Sequence, residues 1–157
     1  MSPLKRLLAP IILFSLALGV SRSGAAEPAR PQGEGKVQVT IGTILASNQS
    51  NEFDPKLAKL QNQLKVFKYR SYRLIREDTH RAGWNEEAAF EIPGGRSLLV
   101  RPQEKSGNQL SLKVRLLAGE KPLVDTTVKL REGGNFLLGG PPHEGGVLIL
   151  SISAASQ

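Results

Sequence analysis

Two long stretches place an apolar or β-branched residue at every second position: Leu110, Leu112, Val114 and Leu116, then Val124, Thr126, Val128 and Leu130. Successive side chains of a strand point to opposite faces, so a period of two demands strands with one face buried and one in water. Val37, Val39 and Ile41 alternate in the same way, and Ile44 and Leu45 carry the apolar content past Gly42. Residues 69–76 are rich in aromatic and branched side chains, and residues 88–92 and 97–101 flank Pro93-Gly94-Gly95-Arg96, a hairpin turn. Residues 147–152 are almost continuously apolar, the pattern of a strand covered on both faces.

One segment breaks this rhythm. Asp54-Pro55 suits a helix start, because aspartate accepts from the free amides of the first turn and proline is favoured just inside it. Leu57, Leu60, Leu64 and Phe67 follow at spacings of three, four and three, one stripe of an amphipathic helix. Their burial would contribute on the order of 1.5–3 kcal/mol each. The sequence therefore predicts an α+β, mainly β domain: a small sandwich or partly open barrel of about seven strands, with one amphipathic helix after the first strand.

Ahead of the domain, Lys5 and Arg6 precede an apolar run, and Ser23-Gly24-Ala25-Ala26 closes it. This is the order of a cleavable signal peptide. Its uninterrupted apolar part, residues 11–20, is about 10 residues long, where a membrane span needs roughly 20. The expected organisation is a signal peptide over 1–26, a proline- and glycine-bearing flexible leader over 27–35, and a single β-rich domain over 36–157, with no transmembrane span after cleavage. There is no cysteine, so neither a lipidated cysteine nor a disulfide framework is available. An exported domain without disulfides fits a bacterial periplasm better than an animal extracellular space. The formal charge of +7 falls to about +4 once Lys5, Arg6 and Arg22 are removed. That is well short of a nucleic-acid footprint, which export also argues against.

Residue types that could carry chemistry are scattered. The glycine pairs at 94–95, 133–134, 139–140 and 145–146 lack the spacing, lysine and following helix of a phosphate loop and are expected to be turns. His80 and His143 are the only histidines, and neither has a second histidine at ligand spacing. Glu86, Glu87 and Glu91 are expected to be surface charges. No catalytic residue, metal site or cofactor is assigned, and the chain is not expected to be an enzyme. The most suggestive stretch interleaves Lys65, Lys68, Arg70, Arg73 and Arg76 with Tyr72, a composition that could hold an anionic glycan or lipid such as lipopolysaccharide. As a strand it would set Lys68, Arg70 and Arg76 on the face of Tyr72, with Arg73 opposite. Trp84, the one tryptophan, lies in a polar loop and could stack on a partner or fold back over the core.

Ile44-Leu45-Ala46-Ser47-Asn48, Asp54-Pro55-Lys56-Leu57 and Tyr69-Arg70-Ser71-Tyr72-Arg73-Leu74 resemble a family of uncharacterised exported bacterial proteins, which implies export and carries no activity over. Residues 130–134 through Leu138-Gly139-Gly140 resemble the glycine-bearing turn of secretin channel domains, although the long continuation typical of secretins is missing. The expected function is a non-enzymatic interaction domain of the cell envelope that binds another protein, accessory to an envelope or secretion assembly. The alternative is a polyanion-binding module using residues 65–76.

Overall fold

The computed structural model describes residues 35–157; the signal segment and all of the leader except Gly35 lie outside them. Eight strands form two antiparallel sheets of four. The strands are β1 (Lys36–Ser47), β2 (Ser71–Gly83), β3 (Ala88–Ile92), β4 (Arg96–Ser106), β5 (Gln109–Ala118), β6 (Lys121–Arg131), β7 (Asn135–His143) and β8 (Gly146–Ser156). One sheet runs β2-β1-β8-β7 and the other β3-β4-β5-β6, giving the sandwich-like α+β fold expected from the alternation, with neither sheet closed. The second sheet is a plain meander. In the first, β8 returns to pair with β1 along almost its whole length.

The pairing of β1 with β8 follows from burial. Val37, Val39 and Ile41 of β1 and Leu148, Leu150 and Ile152 of β8 point into the inter-sheet core. There they meet Leu98, Val100, Leu112 and Val114 of the other sheet. Ile44, Ala46 and Ile149 point the other way, onto Leu57, Leu64 and Tyr72. Two strands buried on both faces can only be central, which is what the continuous apolar run at 147–152 announces.

The helical segment differs from the single amphipathic helix expected. Residues 55–67 comprise a 3-10 turn (Pro55–Leu60), one α-helical turn (Gln61–Leu64) and a second 3-10 turn (Lys65–Phe67). The apolar spacing explains this. A separation of three, as in Leu57/Leu60 and Leu64/Phe67, suits three residues per turn, whereas the separation of four from Leu60 to Leu64 suits an α-turn. Asp54 caps the start by accepting from the Lys56 amide at 3.0 Å, and its other oxygen accepts from the Leu74 amide at 3.1 Å. Those bonds, the Lys56 amide first, hold its carboxyl below the usual range.

Strand β7 was not expected. It contains Gly139-Gly140-Pro141-Pro142, residues that normally mark a turn. Proline cannot donate to a ladder, but β7 is an edge strand, where that loss is tolerated. Gly140 also lets the backbones close up: a Cβ there would lie 2.8 Å from the Leu148 carbonyl oxygen. The other glycine pairs do sit at turns, and Gly94 and Gly95 (φ 88° and 72°) occupy the left-handed region in the β3–β4 turn.

Candidate functional site

A sandwich that does not close leaves four edge strands, each a row of unpaired amides and carbonyls that could template another chain. Among the described residues they are β2, β7, β3 and β6, and three of the four are guarded along their length.

Strand β2 is guarded by an inserted residue. Thr43 pairs with Arg76 and Ile44 with Leu74, so Ile75 is an extra residue in the ladder. One extra residue flips every later side chain to the other face. Tyr72 and Leu74 therefore face the helical segment, while Arg76, Asp78, His80 and Ala82 face the other sheet. Charges that point inward along an edge block pairing. Arg76 Nε lies 2.5 Å from Asp78 Oδ2, with Glu91 3.7 Å from Arg76 Nη1, and His80 stacks on Phe90 with ring centroids 4.5 Å apart. Strand β7 is broken up by its prolines and by a register shift between Gly139 and Pro142. Strand β3 is only five residues long.

Strand β6 carries such devices at its start alone. It is eleven residues long and pairs with β5 in unbroken register from Val124 to Arg131. Lys121, Pro122 and the inserted residue Leu123, where the register with β5 shifts, guard only its beginning. Val124, Thr126, Val128 and Leu130 face inward and are uncharged, while Asp125, Thr127, Lys129 and Arg131 are exposed on the outer face. Leu123 of this strand and Phe136 of β7, 41% and 37% exposed, leave large apolar side chains in water.

The basic–aromatic stretch does not form one face. Lys65 and Lys68 lie at the end of the helical segment, where Lys68 takes a left-handed conformation (φ 58°). Arg70 is tied to Asn48: its amide donates to Asn48 Oδ1 at 3.1 Å and its guanidinium to the Asn48 carbonyl. Arg73 pairs opposite Leu45, on the face reached by Arg76 only because of the inserted Ile75. Tyr72 is buried; its hydroxyl donates to the Leu64 carbonyl at 2.8 Å and accepts from the Tyr69 amide at 3.0 Å. The expected sharing of a face by Arg76 and Tyr72 is thus corrected by the bulge. Trp84 folds back against the inter-sheet core, while still lining a cleft of about 550 Å³ with Lys105, Ser106 and Ser156.

Beside that cleft lies a polar cluster that sequence reasoning missed. Lys105 Nζ is 2.7 Å from Glu132 Oε2 and 3.1 Å from Ser156 Oγ, and the Ser156 amide donates to Glu132 Oε1 at 2.6 Å. A serine beside a lysine suggests a nucleophile and base, but the ammonium is committed to the carboxylate. The trio is instead a clamp joining β4, the end of β6 and the end of β8. The hydrogen bond from Lys105, then those from Ser156, hold the Glu132 carboxyl down to about 2 from an ordinary 4.5. A carboxyl so lowered stabilises the fold above its unfolded pKa and loses that effect as pH falls through the folded one. Glu132→Gln should therefore lower the melting temperature by its full amount above about pH 5, and the gap from wild type should close towards pH 2. Melting curves across that range check this; a gap independent of pH would contradict the clamp.

The remaining candidates are dispersed. Glu86 caps the Gly83 amide at 3.0 Å, Glu87 pairs with Arg101 and Arg115 at 3.5 and 3.2 Å, and His143 lies 3.7 Å from Glu144. Among the described residues no group of three or more histidines and carboxylates is placed to hold a metal, and no helix is long and apolar enough to cross a membrane.

No protein-family model and no curated protein matches the sequence. Among solved structures, the secretin XcpQ of the type II secretion system from Pseudomonas aeruginosa aligns at 12% identity with a TM-score of 0.39. The alignment covers 78% of this chain and 56% of that one. A likeness at that level assigns neither family nor role.

Proposed function

We propose that this chain is a non-enzymatic interaction domain of the bacterial cell envelope, which binds another protein through the free edge of β6 and serves an envelope or secretion assembly. The β6 edge, in unbroken register with β5 from Val124 to Arg131 and with no inward charge there, carries this reading. An extended partner segment added there would continue the sheet, with main-chain hydrogen bonds supplying affinity and alternate side chains specificity. The signal-like N-terminus and the absence of cysteine support a periplasmic setting.

The test gives β6 the guard that β2 already has. Thr126→Lys sets a charge on the inward face of the edge, at a half-buried position. Wild-type protein and this variant are each incubated with gently crosslinked envelope and eluted with rising salt. The expected outcome is one or a few proteins held through high salt by wild type and lost, at least tenfold, from a variant with unchanged circular dichroism. Equal retention by both would overturn the edge reading. Release of only anionic glycan or lipid, early in the salt steps, would move the site to residues 65–76, because counterion release makes such binding steeply salt-dependent.

A further inference from the structure

The free edge of β6 has a pattern that constrains what can pair with it. Read outward from Thr127, the strand has Thr126 and Val128, then Asp125 and Lys129, then Val124 and Leu130. Equidistant positions are thus both β-branched, oppositely charged, and both apolar. Two antiparallel copies related by a two-fold axis at Thr127 would set Asp125 opposite the second copy's Lys129, and Lys129 opposite its Asp125. Directly opposed unlike charges stabilise such a ladder and like charges destabilise it. On the inner face Val124 would meet Leu130, and Thr126 would meet Val128, continuing the sandwich core across the axis.

Neighbouring registers fit less well. An axis at Thr126 opposes Lys121 to Arg131, and one at Asp125 opposes that aspartate to its own copy and Lys121 to Lys129. An axis at Val128 still pairs Asp125 with Arg131. However, it shortens the overlap, leaves Lys129 opposite Thr127 and sets Leu130 against Thr126.

We propose that, until a partner segment displaces it, the β6 edge is occupied by a second copy of this chain, paired antiparallel about Thr127 to give a two-fold dimer with a continuous eight-stranded sheet. This deepens the edge reading and rests on it. A two-fold contact uses the same patch on both partners, so each charge counts twice.

Sedimentation velocity of the purified protein from micromolar to millimolar concentration tests it, with Asp125→Lys, Lys129→Asp and the double exchange. Wild type should dimerise, each single reversal should weaken the dimer at least tenfold, and the double exchange should restore it. Both side chains are exposed, and melting curves confirm that the variants fold. A wild type that stays monomeric throughout, or a dimer indifferent to the single reversals, overturns self-pairing. If wild type is monomeric while Thr126→Lys still abolishes capture of an envelope protein, self-pairing alone fails and the edge reading stands. If Thr126→Lys changes neither, both fall.

Discussion

Leu150→Ala should cost about 2–5 kcal/mol of stability, the usual range for emptying a leucine site in a close-packed core. Leu150 is fully buried on β8, the strand that pairs with both β1 and β7. Its side chain lies in the inter-sheet core with Leu148 and Ile152. Paired strands on both flanks resist collapse into the space, so the cavity penalty should add to the lost transfer energy. Against a typical total stability of about 5–15 kcal/mol, that is a large fraction. Urea unfolding followed by circular dichroism reads the change as a lower midpoint with an unchanged slope. A loss under about 1 kcal/mol would mean that the two sheets do not pack as described.

Tyr72→Phe should cost about 1–3 kcal/mol, although it removes a single atom, because it strands partners that water cannot readily reach. The hydroxyl joins the Leu64 carbonyl to the Tyr69 amide, and so ties the helical segment to the start of β2. The ring, which is retained, still packs edge-on against Phe53 at 6.0 Å and Tyr69 at 6.5 Å. The loss therefore reports the hydrogen bonds and not the packing. The same unfolding experiment measures it, and hydrogen exchange should show residues 55–67 opening before the inter-sheet core. A neutral substitution would show that the helical segment is held by its apolar contacts alone.

What could be read from the sequence was what repeats. Period-two alternation located β1, β5 and β6, the double-glycine turn located the β3–β4 hairpin, and the continuous run at 147–152 located a strand buried on both faces. Strand β7 escaped because Gly139-Gly140-Pro141-Pro142 carries a turn's chemistry, and only its edge position makes those residues acceptable in a ladder. The facing of Arg76, Asp78 and His80 escaped because one inserted residue, Ile75, inverts parity without altering composition. The alternation of β6 was plain. That β6 lies at an edge was not, since strand order depends on long-range pairing that no local pattern encodes. The Lys105–Glu132–Ser156 clamp joins positions far apart in sequence, and nothing near any of the three foretells it.

Hydrogen exchange on the four edge strands tests the docking claim most directly. It is measured with the protein free at low concentration, and then bound to its captured envelope partner or, at high concentration, to a second copy. The account predicts that amides within residues 123–131 gain protection on binding, while those of β2, β3 and β7 stay as they were. Protection gained at β2, β3 or β7 with β6 unchanged would contradict it.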